Sequence, residues 1–285
     1  MAVIKSTTQT DLVRLLDLFP RKVLKNSWPE EKGNKKEVCV AIAAKCKPSE
    51  IVQFVEKHFT GCKQHVYLHT HGSKDRKLPN PKGTDGEKVL EIKDRTKLRG
   101  LYLFWCEYTV ILTDPLGEEK IRFLWPVLLD FEKDHLIIRF VVLEKDLSAY
   151  FEGRSVSTAR KAVDEEDIVG WLLESAQGAV PMDFHKGLKA IWKQGFVDCS
   201  RAQFKKPHST ASETMDENLG IKENNDDLYK ILLQSTILNG VFASTAPKES
   251  TVFVAKPGEG YLSFLRYSDE NGGSDHVIRE IIGHN

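Results

Sequence analysis

Three apolar runs dominate the middle of the chain. They read Leu-Tyr-Leu-Phe-Trp-Cys-Glu-Tyr-Thr-Val-Ile-Leu at 101–112, Ile-Arg-Phe-Leu-Trp-Pro-Val-Leu-Leu at 121–129 and Leu-Ile-Ile-Arg-Phe-Val-Val-Leu at 136–143. Short polar turns separate them, at Asp114-Pro115-Leu116-Gly117 and at Glu132-Lys133-Asp134. Runs rich in β-branched and aromatic residues, punctuated in this way, predict an antiparallel meander. Pro126 has no N–H for a ladder, so the middle run is expected to be bulged or to lie at an edge.

Before the meander the apolar period is helical. Thr10 or Asp11 can cap a first helix carrying Leu12, Leu15, Leu16 and Phe19, which Pro20 ends. Pro20 can open a second helix through Val23, Leu24 and Trp28. After the polar loop from Pro29 to Gly33, Asn34 can cap a third, with Val38, Ile42 and Ala41 on one face. Pro48-Ser49-Glu50 starts a fourth, with Ile51, Val52, Phe54, Val55 and Phe59 as its stripe. Cys62 to His69 is the last candidate. These elements predict a helical bundle domain at 8–71.

Gly72–Gly86 turns to Gly, Pro, Lys and Asp, the composition of an exposed linker, placed at 72–87. Val89–Lys97 fits either a short helix or a strand. Helices are expected from Asp164 and around Phe184–Trp192, then at 226–238 and from Asp275 to Ile282, with strands near 251–255 and 260–267. The polar stretch at about 205–225 reads as a mobile loop. The fold class is therefore α+β: a small helical bundle, then a larger domain over 88–285 with an antiparallel sheet and flanking helices.

Charge narrows the function little. Lys and Arg number 41, as do Asp and Glu, so the net charge is zero and any nucleic-acid role must rest on a local patch. No apolar run approaches the ~18 residues of a membrane span, and the amino terminus has no long apolar h-region. The five cysteines, without CxxC spacing, are expected to be reduced thiols. An intracellular location, cytoplasmic or nuclear, is the expectation.

Catalytic signatures are missing from the sequence. There is no Gly-x4-Gly-Lys-Ser/Thr, Gly-x-Gly-x-x-Gly, His-Glu-x-x-His or Gly-x-Ser-x-Gly. Pro257-Gly258-Glu259-Gly260 suits a hairpin turn better than a phosphate cradle. Glu118/Glu119 and Asp226/Asp227 are explained by solvation and capping. One constellation holds potential ligands, Cys62-Lys-Gln-His65-Val-Tyr-Leu-His69-Thr-His71. On a helix Cys62, His65 and His69 would share a face that zinc could use. The alternative is a buried thiol and surface imidazoles. No cofactor is implied.

Two basic regions bear on nucleic acid. The first comprises Arg21, Lys22, Lys25, Lys32, Lys35 and Lys36. There Leu-Lys-Asn-Ser-Trp-Pro-Glu-Glu-Lys-Gly-Asn-Lys-Lys-Glu-Val-Cys (24–39) resembles the helix, extended loop and helix of SAP-type DNA-binding motifs. The second comprises Lys74, Arg76, Lys77, Lys82, Lys93, Arg95, Lys97 and Arg99, diluted by Asp75, Asp85, Glu87, Glu91 and Asp94. A solvated face is the plain alternative for both. The order of parts, a helical bundle and then a β-region, resembles the amino-terminal architecture of the kinetochore CENP-N family. That resemblance implies a pyrin-like bundle and a β-domain that together bind DNA and a nucleosome. It rests on arrangement, without a shared motif.

The leading expectation is a non-enzymatic interaction or scaffold protein whose helical head and β-sheet body bind a macromolecular partner, another protein first. A nucleic-acid-binding protein using 21–36 and 74–99 is the second, and an enzyme with a spatially assembled site the third, since triads leave no linear trace.

Overall fold

The computed structural model describes residues 6–285 except 73–75, 81–85, 94–96, 114–115, 133, 144–146, 152–153, 177, 207–208, 215–219, 245–250, 265 and 267–272. Nine helices and twelve strands are present among the described residues, an α+β fold. The chain divides into two compact units. Unit 1 spans Met1–Phe59, Gly72–Asp134 and Ile138–Gly178; unit 2 spans Thr60–His71, His135–Ile137 and Ala179–Asn285. These divisions differ from the expected bundle, linker and body, because the head helices pack with the meander rather than apart from it.

The head has four helices: α1 (Gln9–Asp17), α2 (Arg21–Ser27), α3 (Lys35–Lys45) and α4 (Pro48–His58). Thr8, two or three residues ahead of the expected cap at Thr10 or Asp11, opens α1. Its hydroxyl accepts from the Asp11 N–H at 3.3 Å, and the Asp11 carboxylate accepts from the Thr8 N–H at 2.9 Å. The same reciprocal box forms between Asn34 and Glu37 at the start of α3, at 3.0 and 2.7 Å. Leu15, Leu16, Phe19, Leu24, Val38, Ile42, Ile51 and Val55 are buried between the helices. Phe54 packs against Phe19 and Trp28, with centroids 5.0 and 4.6 Å away.

The last expected helix is instead β1 (Gln64–His71), in unit 2. Buried Gln64, Val66 and Leu68 alternate there with half-buried His65 and Tyr67, a period of two that four-residue spacing had masked. The undecided segment of unit 1 is β2 (Gly86–Lys93). Of the expected linker, residues 76–80 are described, and Leu78 and Pro79 are buried rather than exposed. Tyr102 donates its hydroxyl to the Pro79 carbonyl at 2.9 Å.

The meander forms as β3 (Lys97–Thr113), β4 (Leu116–Glu132) and β5 (His135–Val141), the last divided between the units. Seventeen residues of β3 pair in antiparallel register with seventeen of β4, without a shift. Contrary to expectation, Pro126 sits opposite Leu103 in this regular ladder, and β4 has β3 and β5 as neighbours. Burial of Phe123–Phe131 outweighs one missing donor. The Trp125 indole beside it donates to the Val141 carbonyl at 2.8 Å. β6 (Val156–Lys161) pairs with the far half of β3, and Trp171 of α5 (Glu165–Ser175) meets Phe104 edge-on at 5.8 Å.

In unit 2, β7 (Ala179–Pro181) pairs with the end of β1. The main sheet runs β1-β12-β11-β10-β8-β9, with β8 at Val197–Lys206, β9 at Ser209–Thr214, β10 at Ile237–Ser244, β11 at Val252–Lys256 and β12 at Tyr261–Phe264. The expected loop at 205–225 is thus, where described, largely the β8–β9 ladder and a short helix, α7 (Ile221–Asn224). Backbone pairing to β8 orders a polar edge strand that has almost no apolar residues of its own. Helices α6 (His185–Lys193), α8 (Asp226–Gln234) and α9 (Gly273–His284) complete the unit. Trp192, Phe242, Phe253 and Phe264 are fully buried in its core. Gly260, in the expected β11–β12 turn, has φ +68°, and a Cβ there would lie 2.4 Å from the Leu68 carbonyl oxygen.

Within unit 1, Arg99 of β3 ties the head to the sheet. It holds Glu56 of α4 at 3.0 Å and Asp130 of β4 through Nε, while Arg139 of β5 lies 3.6 Å from Asp130. Removing Arg99 takes a cation from the buried Asp130 and the half-buried Glu56, whereas removing both ends of a pair leaves less charge unmatched. Arg99→Met should cost about 3 kcal/mol in urea unfolding, and adding Asp130→Leu should cost less than the sum of the single changes. Strict additivity of the two would show that Arg99 and Asp130 are not coupled across β3 and β4.

Candidate functional site

One face of α1 leaves a cavity rather than entering the core. Thr10, Val13, Arg14 and Asp17 follow helical spacing on a single stripe, and Lys35, Lys36 and Cys39 of α3 face them across the gap. Ala149 and Tyr150, from the short 3₁₀ turn at Ser148–Tyr150, complete a cavity of about 550 Å³ within unit 1. Its size falls in the range of small-ligand and anchor pockets, roughly 300–1,000 Å³.

Its polar side is built around Asp17. The Lys35 ammonium lies 3.0 Å from the carboxylate, and the Tyr150 hydroxyl donates to it at 3.2 Å. Burial, and then the Asp17 charge, push the Tyr150 phenol upward. Burial likewise pushes the Cys39 thiol up to about 12, with Asp17 adding to the effect, which favours the uncharged thiol. Arg14 donates to the Arg122 carbonyl at 2.9 Å and lies 5.7 Å from the Phe123 ring centroid and 5.8 Å from that of Tyr150. Arg122 in turn sits 4.2 Å over Trp105 and reaches Asp11 at 3.1 Å. Burial opposes the Asp11 charge, but Thr8 and Arg122 outweigh it and hold that carboxyl below its ordinary value.

The expected basic residues of the head are partly gathered. Arg21, at the start of α2, donates to the Gly33 carbonyl, which brings it beside the Lys32–Lys36 segment. Lys22, Lys32 and Lys36 are exposed, Lys25 is half-buried, and Lys35 is engaged with Asp17. The helix, loop and helix of the SAP-like stretch are present as α2, residues 28–34 and α3. Residues 1–59 carry 11 Lys and Arg against 7 Asp and Glu, a local net charge of +4 on a neutral chain. No protein-family model matches the chain, and a search of the curated proteins found no match.

The second basic region is dispersed. Lys74, Lys82 and Arg95 lie outside the described residues, as does the Lys97 side chain. Arg76 pairs with Asp134 at 3.7 Å, Arg99 is taken by Glu56 and Asp130, and Lys77 and Lys93 are exposed.

The zinc reading fails at its premise, because Cys62, His65 and His69 are not on a helix. Four residues of strand separate His65 from His69 by about 13 Å, too far for one ion. No group of three His, Cys, Asp or Glu among the described residues is placed to hold a metal. Instead Cys62 is buried, and His65 packs against Tyr261 at 5.6 Å. His69, 3% exposed, is driven down to about 4 by burial, partly offset by a backbone hydrogen bond at Tyr67.

Of the cavity lining, sequence reading singled out only Lys35 and Lys36 as site residues; Val13, Arg14, Asp17, Cys39, Ala149 and Tyr150 were missed. The spacing of Thr10, Val13, Arg14 and Asp17 was visible; Tyr150 comes from more than a hundred residues away and left no local signal.

His69 makes a pH prediction. In the fold it stays neutral below pH 6.5, while the unfolded chain takes up a proton near that value. Its contribution is therefore intact above pH 6.5 and is lost as pH falls toward about 4, by about 3 kcal/mol in all. Melting temperatures of His69→Leu should fall less steeply between pH 6.5 and 4.5 than those of the unaltered protein. Parallel profiles would refute the assignment.

Proposed function

We propose that this is a non-enzymatic binding protein whose helical head, backed by the β3–β4 ribbon, presents a surface to a macromolecular partner, in the first place another protein. The observation that carries this reading is the cavity between α1, α3 and the Ser148–Tyr150 turn, lined by both apolar and charged side chains. Its ionisable groups support binding rather than turnover. Asp17 is engaged with Lys35 and Tyr150, and the thiol and phenol are both pushed away from reactivity. Val40 on α3, 45% exposed, adds apolar surface to the head. A partner recovered from native extract by the full chain should be lost with Val40→Glu at unchanged melting temperature. Retention of every captured partner by that variant would exclude the head as the binding surface.

Nucleic acid is the second reading, favoured by the +4 charge of the head and by the bond that places Arg21 beside Lys32–Lys36. The resemblance in order of parts to the CENP-N family points the same way. If duplex DNA binds there, Lys35→Ala with Lys36→Ala should weaken all sequences alike. The log–log salt slope should then drop by up to about 1.8, the loss of two phosphate contacts. Absence of binding by the full chain at low salt would end this reading.

A further inference from the structure

The cavity's lining has two characters. Val13, Cys39, Ala149 and the Tyr150 ring are apolar, while Arg14, Lys35 and Lys36 accompany the single carboxylate of Asp17. Three cations and one anion in the lining give it a net charge of +2. A phosphodiester backbone would match the cations but leave the apolar lining uncovered. Lys35, moreover, already directs its charge to Asp17. A large apolar side chain bordered by carboxylates satisfies both kinds of lining together. Val40 lies one turn along α3 from Lys36 and is exposed.

Resting on the reading of this chain as a partner-binding protein, we propose that the cavity is the anchor site for an acidic segment of a partner protein. It takes one aromatic or large aliphatic side chain against Val13, Cys39, Ala149 and Tyr150. Carboxylates on either side of that anchor meet the positive rim formed by Arg14 and Lys36. Such an arrangement matches the usual anatomy of a binding hot spot, a pocketed anchor inside a polar rim.

The test uses the full chain and a fluorescent peptide carrying one phenylalanine with glutamates on both sides, followed by anisotropy. Saturable binding is expected. It should weaken by at least about tenfold, or about 1.4 kcal/mol, when the phenylalanine is replaced by alanine. Ala149→Trp, which fills the cavity from an exposed position, and Lys36→Glu should each do the same at unchanged melting temperature. No saturable binding, or binding indifferent to the phenylalanine and to Ala149→Trp, overturns the proposal. So does displacement of the peptide by duplex DNA whose own binding responds equally to Ala149→Trp, since the cavity would then be a nucleic-acid contact. If a captured partner is lost with Val40→Glu but kept with Ala149→Trp, the cavity assignment falls while the broader binding function stands.

Discussion

The pairing of β3 with β4 is the constraint on which unit 1 depends. It runs without a register shift from Lys97 opposite Glu132 to Thr113 opposite Leu116. Side chains alternate with a strict period of two, so a slip by one residue would turn every one of them to the wrong face. Phe123 to Phe131 are all buried, so both faces are packed there and such a slip would exchange every contact on each. The ribbon therefore determines where Arg99, Arg122 and Phe123 stand, and these are the residues that receive the head: Glu56 on Arg99, Asp11 on Arg122 and Arg14 near Phe123.

The cavity follows from that attachment. α1 uses Leu12, Leu15 and Leu16 for the core of the head and Asp11 for the ribbon, which leaves the Thr10–Asp17 stripe turned toward α3 and the Ser148–Tyr150 turn. Asp17 sits between Lys35 and Tyr150, and Arg14 lies between two aromatic rings with its guanidinium tied to a backbone carbonyl. Side chains held in this way lose little further entropy on binding, which favours recognition over a flexible surface of the same charge.

Charge reading shows the limits of counting residues. Six basic residues in 21–36 read alike in the sequence, yet the fold uses them differently. Arg21 stitches α2 to the loop before α3, Lys35 neutralises Asp17, and Lys36 remains exposed. In the second basic region Arg99 belongs to a charge cluster that includes the buried Asp130 and Arg139, a structural use that no sequence pattern distinguishes from a ligand-binding one.

What the sequence determined by itself was local. Helical period and capping chemistry placed α2, α3 and α4 with Pro20, Asn34 and Pro48 at their starts, and the apolar runs placed β3, β4 and β5. These signals are legible because caps and periodicity act within a few residues. The misread elements were those whose state is set from outside. His65 and His69 suit a helix by spacing, but β12 pairs with this segment and makes it a strand. Ser209–Thr214, too polar to order itself, is ordered by its ladder to β8. Pro126 lies in a regular ladder because burial of its neighbours decides the strand's position. The cavity belongs wholly to this second class: Thr10, Lys36 and Tyr150 meet only when α1, α3 and a turn far along the chain pack together, and tertiary contact leaves no periodic trace in a single sequence.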